Sequence, residues 1–270
     1  MAEPTTAALR TVRATRYVTP LREGGSMPGL VEADDDGLYV VKFRGAGQGP
    51  KALIAEVVVG ELARALGLRV PEIVVVEVDP LLAAAEPDPE IQELVAASGG
   101  SNAALDFLPG ALPFSPAAPV GVTPELAADV VWLDALCANV DRTPRNPNML
   151  IWHGELWLID HGAALYRHHA PTWPQGAAAA PFPLIGDHVL LPFAGSIAEA
   201  DERLAARLDH ATLVRIVGEV PDDWLAAGDA GGGALAREIY VEYFAQRLGA
   251  DAGAPRAFAA EAEEARRAVA

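Results

Sequence analysis

Apolar and polar positions follow a strand-like rhythm over the first hundred residues and a helical one thereafter. Thr11 to Val18 alternates well enough to predict a strand. Leu30 to Ala33 and Leu38 to Phe43 are short apolar runs across the acidic turn Asp34-Asp35-Asp36-Gly37, a hairpin signal. Gly45 to Pro50 is a loop, and a helix is expected from about Lys51 to Leu66, where Gly67 stops it. Val70 to Val78 is β-branched and predicts another strand. Pro87 to Ser98 reads as a short helix, and Ala104 to Leu108 as a strand ending in Pro109-Gly110.

Residues 109–122, PGALPFSPAAPVGV, are rich in proline, alanine and glycine and are expected to connect two parts of the molecule. Thr123-Pro124-Glu125 then starts a helix with a capping hydroxyl and a first-turn proline, running to about Ala138. Met149 to Trp152 and Leu156 to Ile159 pair across His153-Gly154-Glu155. Residues 170–195 are proline-rich and irregular in expectation. Helices are predicted near 197–208, 210–217, 234–248 and 255–268. The expectation is an α+β molecule: a small β-rich N-lobe over 1–108, a connection over 109–122, and a larger, mainly helical C-lobe over 123–270.

Composition narrows the functions open to this pattern. The chain has 270 residues, 51% hydrophobic, with 37 acidic against 20 basic side chains and a net charge of −17. Affinity for nucleic acid or anionic lipid rests on clustered Lys and Arg, which are lacking here. The most apolar long window, Ala177 to Ala198, is broken by three prolines, Asp187 and His188, and predicts no membrane span. The N-terminus has no signal-peptide pattern, and the single cysteine, Cys137, falls in an apolar helical pattern. Together they suit a reducing cytoplasm. Only Lys42 and Lys51 are lysines, so a pyridoxal-type lysine enzyme is nearly excluded.

The densest polar cluster in an apolar setting is Asn139-Val140-Asp141-Arg142-Thr143-Pro144-Arg145-Asn146-Pro147-Asn148. Asp141 and Asn146 have the D-x-x-x-x-N spacing of a kinase catalytic loop, and Asp160-His161-Gly162 stands where a metal-binding D-x-G follows a short hairpin. Phosphoryl transfer needs a carboxylate to orient the acceptor hydroxyl and oxygen ligands to hold Mg²⁺ on the phosphates. Alone, such residues merely cap turns; joined to the hairpin and D-x-G, they point to a site.

A kinase also needs a phosphate-binding lysine on an early strand. Lys42 lies within Tyr39-Val40-Val41-Lys42-Phe43, and Glu56 is the lone charge among Ala52, Val59, Gly60 and Ala63 at helical spacing. A carboxylate on an apolar face needs a partner, and Lys42 is the obvious one. Glu61 with Arg64 reads as a surface pair, and Lys51 as solvated. Gly24, Gly25 and Ser26 precede the lysine strand, where a glycine-rich loop brings backbone N–H groups to phosphates. His168, His169 and His188 lack partners at metal-ligand spacing, so no zinc site is expected. His161 reads as structural, and Trp132, Trp152 and Trp157 as core.

The succession GGS, VVKF, AEVVVGELARALGLRVPE, LDFLPG, NVDRTPRNPNML and LWLIDHGAAL resembles the bacterial HipA-like kinase family over residues 10 to about 250. The D-R-x-x-x-N loop with I-D-x-G is also similar to phosphoinositide kinases. The resemblance implies a bilobal protein-kinase-like fold with Mg-ATP between the lobes. Lys42 and Glu56 would be the phosphate lysine and its partner, Asp141 the catalytic carboxylate, and Asn146 and Asp160 the Mg²⁺ ligands. The strand end Leu105 to Leu108, with Asp106 and Leu108, would run beside the adenine. Arg142 follows Asp141 rather than preceding it, Thr143 replaces a histidine, and no A-P-E segment is present. The acceptor, a protein Ser/Thr or a small molecule, is therefore open, with residues 167–200 expected on its side of the site. The alternative is a nucleotide-binding pseudokinase acting as a regulatory partner.

Overall fold

Alternation along the early strands turns one face of each inward, and the strands close on themselves. The computed structural model describes residues 9–21, 27–226, 233–249 and 256–269. In chain order the first part holds β1 (Thr11–Pro20), β2 (Gly29–Ala33), β3 (Leu38–Lys42), α1 (Gly49–Ala65), β4 (Ile73–Val78), α2 (Pro89–Ala97) and β5 (Gly100–Asp106). The strands form a closed five-stranded barrel in the order β1-β2-β3-β5-β4. All neighbours are antiparallel except β1 and β4, which run parallel and pair Thr11 with Val75. The sequence predicted a β-rich lobe but not this closure.

The barrel interior is a core of its own, made by Val12, Ala14, Val31, Tyr39, Val41, Val74, Val76 and Ala104 with their neighbours. The opposite faces of β4 and β5, through Ile73, Val75, Ala103 and Leu105, pack with α1 in a second, larger core. That core continues into the helices of the second half, so α1 is buried on nearly every side. Its contact with β4 is close enough to require a glycine: a Cβ at Gly60 would stand 2.3 Å from Ile73 Cδ1. The helix ends as its sequence predicts, with Gly67 at φ +83° and the Leu68 N–H bonded to Ala63 O at 3.0 Å.

The second half contains β6 (Leu112–Pro113), α3 (Pro124–Cys137), β7 (Met149–Trp152), β8 (Glu155–Leu158), α4 (Ile197–Leu204), α5 (His210–Gly218), α6 (Asp222–Ala226), α7 (Gly233–Leu248) and α8 (Ala257–Val269). α3 is capped by Thr123, whose hydroxyl accepts the Leu126 N–H at 3.1 Å. β6, within the expected connection, adds a third strand to the β7–β8 hairpin. α6 was not predicted, and residues 166–193 hold only short 3₁₀ turns. No helix among the described residues is long and apolar enough to cross a membrane.

Several expectations about single residues are corrected. Glu61 is not on the surface: it is 2% exposed beside Arg64 at 3.2 Å, because α1 is enclosed on that side too. Burial raises its carboxyl pKa. Lys51 is half-buried and donates to His168 O at 2.5 Å. Trp132 is a core residue, whereas Trp152 and Trp157 are only half-buried on the hairpin, their rings 5.3 Å apart.

Candidate active site

Strand alternation decides where Lys42 lies. Tyr39 and Val41 fill the barrel, so Val40 and Lys42 fall on the outer face, with small Ala103 opposite Lys42 on β5. α1 reaches that face and places Glu56 Oε2 3.5 Å from Lys42 Nζ. The ammonium also hydrogen-bonds Asp160 Oδ1. Glu56 Oε2 accepts the His161 backbone N–H at 2.9 Å, which ties α1 to the D-x-G turn. Glu56 Oε1 is buried and accepts no hydrogen bond from any described residue.

One ammonium thus serves two carboxylates in a nearly dry place; the Lys42 and Glu56 side chains are 11% and 1% exposed. Burial would lower the lysine pKa, but Glu56 and Asp160 outweigh it and the net direction is up. Burial raises Glu56, and Lys42 only partly offsets it. Asp160 goes the other way: its burial penalty is overcome by the charge and hydrogen bond of Lys42.

The catalytic-type loop is folded by its own turn chemistry. Thr143-Pro144-Arg145-Asn146 is a tight turn with proline in second position, and Thr143 and Asn146 exchange backbone hydrogen bonds of 3.2 and 3.1 Å. The turn brings Asn146 back, so that its Nδ2 donates to Asp141 Oδ2 at 2.7 Å. Asn148 donates to the same oxygen at 3.1 Å and reaches the Asp160 carbonyl at 3.5 Å. Asn148 and Asp160 have left-handed backbones, φ +50° and +55°, a region asparagine and aspartate tolerate better than most residues.

Of the residues singled out from the sequence, Lys42, Glu56 and Asp160 meet directly. Asp141 and Asn146 form a second group, linked to Asp160 through Asn148. Asp106 ends β5 opposite Tyr39, three pairs along from the Lys42–Ala103 pair. It is half-buried, with its pKa raised by burial and then by Glu72. Leu108 is buried just beyond. Gly24, Gly25 and Ser26 lie outside the described residues.

Four further residues belong to this neighbourhood. Asn148 stands two positions beyond the D-x-x-x-x-N pattern. Asp134, in the otherwise apolar Trp132-Leu133-Asp134-Ala135-Leu136 of α3, is fully buried. It gave the same signal as Glu56, a lone acid in an apolar helix. His188 comes from the irregular segment and gave no local signal. His161 is completely buried, and its pKa falls to about 3, first through burial and then through the charge of Arg142.

The donor set suits a hard cation. Asn146 and Asn148 use their amide N–H groups on Asp141, which leaves their amide oxygens, with the Asp160 carboxylate, as oxygen ligands of the kind Mg²⁺ prefers. No group of three His, Cys, Asp or Glu suited to a metal occurs among the described residues. That does not count against Mg²⁺, which takes many of its ligands from phosphates and water. Two clefts, of about 780 and 470 Å³, open elsewhere, the first between α5, α7 and residues 174–178 and the second beside β1, β4 and β5.

A family model described as HipA-like kinase matches residues 15–238. The chain belongs to the HipA-like kinase family. Its fold is similar to that of the Helicobacter pylori proinflammatory kinase CtkA, with a TM-score of 0.53 at 13% identity over 90% of this chain and 95% of that one. At that identity the likeness is one of fold. The Golgi casein kinase gives a TM-score of 0.41 at 12% identity, covering 90% of this chain and 72% of that one. Its structure with Mn/ADP bound gives 0.42, also at 12% identity, covering 90% and 73%. No curated protein matches the sequence. This HipA-like kinase combines its family's sequence pattern with a mixed α/β fold of kinase type.

Proposed function

We propose that this HipA-like kinase transfers the γ-phosphoryl group of ATP to an alcohol acceptor, with Mg²⁺ as cofactor. The observation that carries the reading is the convergence of Lys42 from β3, Glu56 from α1 and Asp160 from the turn after β8, next to the Asp141–Asn146–Asn148 group. Four separate stretches of chain supply these groups, and phosphoryl transfer is catalysed largely by such positioning and charge neutralisation.

In this reading Lys42 holds phosphate oxygens, and Glu56 keeps its ammonium in place. Asp160 and Asn146 would hold Mg²⁺, which would supply charge neutralisation at the phosphates. Asp141 Oδ2 is engaged by two amides, which fixes the carboxylate plane and aims it at the acceptor hydroxyl. Its part is to orient that hydroxyl and accept its proton. The two-lobed division at residues 108 and 123, adenine beside Asp106 and Leu108, phosphates under Gly24-Gly25-Ser26, and an acceptor such as a protein Ser/Thr belong to the same proposal.

The test is Mg²⁺-dependent turnover of labelled ATP, with a panel of protein and small-molecule acceptors, for wild type and Asp141→Ala in parallel. We expect Asp141→Ala to lose about 10²- to 10⁴-fold in rate. Equal rates would contradict the assignment of Asp141. Nucleotide binding without turnover in the wild type would identify a pseudokinase instead.

A further inference from the structure

Behind the loop that carries Asp141 lies a buried polar network that touches neither of the carboxylates assigned to catalysis and metal. Its centre is Asp134 of α3, which is 0% exposed. Asp134 Oδ1 accepts from Asn139 Nδ2 at 2.9 Å, and Oδ2 accepts from Arg142 Nε and lies 2.9 Å from His188 Nε2. The His188 tautomer follows from its other nitrogen. Nδ1 faces the Leu190 backbone N–H at 3.1 Å and must accept, so Nε2 carries the proton and donates to Asp134.

Two of the groups bound to Asp134, Asn139 and Arg142, have further contacts on the site. Asn139 Oδ1 accepts the Asp141 backbone N–H at 3.1 Å. Arg142 donates through Nη1 to the Asn148 carbonyl, and its Nη2 meets His161 Nδ1 at 3.3 Å. His161 is the residue whose N–H binds Glu56. On the other side, the Val189 N–H donates to Arg142 O at 3.1 Å, which ties the 188–190 segment to the same loop. From Asp134, then, one step through Asn139 reaches Asp141, and one step through Arg142 reaches both Asn148 and the Asp160 turn.

We propose that Asp134 is a positioning residue of the phosphotransfer site. Acting through Arg142 and Asn139, it keeps the Asp141 loop and the Asp160 turn in fixed register. A buried guanidinium without its carboxylate would be free to swing; Asn139 and Arg142 hold the Asp141 loop through backbone groups, and Arg142 meets the Asp160 turn through the His161 ring. A charge-balancing role alone would make Asp134 a determinant of folding and nothing more. The inference rests on the phosphotransfer reading for its kinetic consequence, though not for its structural one.

The experiment compares wild type, Asp134→Asn and the double variant Asp134→Asn/Arg142→Met, measuring melting temperature, Kd for Mg-ATP, kcat, and amide hydrogen exchange across 139–148 and 159–162. The double variant leaves no unpaired buried charge, so it keeps the test open if Asp134→Asn fails to fold. We expect it to melt near the wild-type temperature, while kcat falls about 10- to 100-fold and the Kd for Mg-ATP weakens by a smaller factor. Exchange should rise in the two loops and nowhere else. A double variant with wild-type melting and wild-type kcat would overturn the proposal. If the wild type shows no turnover, the phosphotransfer reading fails and exchange decides on positioning: faster exchange confined to the two loops supports it, and unchanged protection overturns it.

Discussion

Glu56 and Asp134 are both buried carboxylates on helices, each facing a cationic side chain, and they titrate in opposite directions. For Glu56, burial wins and the pKa rises, because its one cation, Lys42, is shared with Asp160. For Asp134, burial is outweighed by Arg142, His188 and Asn139, and the carboxyl is held well below the usual range. The difference lies in the number of donors. Asp134 is surrounded by three, whereas Glu56 leaves one oxygen without a partner among the described residues. A saturated carboxylate holds structure in place. The Lys42 cluster has one positive charge for two negative ones, and such an electron-rich, under-satisfied group suits a divalent cation.

The largest expected effect lies on the saturated side. Arg142→Ala leaves Asp134 charged, buried and short of its strongest partner, so we expect a loss of about 3–5 kcal/mol in urea unfolding. A loss below 1 kcal/mol would mean that the cluster is far better solvated than its burial implies. Glu56→Gln should do less, and its effect should depend on pH. A carboxyl whose folded pKa is raised holds its proton more tightly in the folded state, so the wild type loses stability as pH rises from the unfolded value of about 4.3 through the folded one. The variant lacks that loss. Its stability relative to wild type should therefore climb between pH 4 and 7, as followed by urea unfolding at both pH values; a flat difference would show that Glu56 is fully neutralised by Lys42.

The same contrast explains what could be read from the chain. Lys42, Glu56, Asp141, Asn146 and Asp160 stand out in the sequence because each sits in a short pattern with a chemical reason for its spacing. Asp134 carried the signal that picked out Glu56, an acid alone in an apolar helix, yet no nearby basic residue marked it as paired. Its partners are Arg142, around a left-handed helix end at Ala138, and His188, 54 residues on in a segment without periodicity. Glu61 misled for the converse reason. Its i,i+3 neighbour Arg64 suggested a surface pair, but α1 is enclosed by the barrel wall and the second-half helices together. Closure of the barrel through the parallel β1–β4 pairing joins residues over sixty positions apart, and local alternation does not encode it.

In the proposed function, the under-satisfied cluster binds nucleotide through a divalent cation. Calorimetric titration with ATP, with and without Mg²⁺, for wild type and Asp160→Ala tests it most directly. Mg²⁺ is expected to tighten binding to the wild type, whereas Asp160→Ala should lose this tightening and bind Mg²⁺-free ATP at least as well as the wild type, since a carboxylate paired with Lys42 is removed. Equal tightening by Mg²⁺ in both proteins would contradict it.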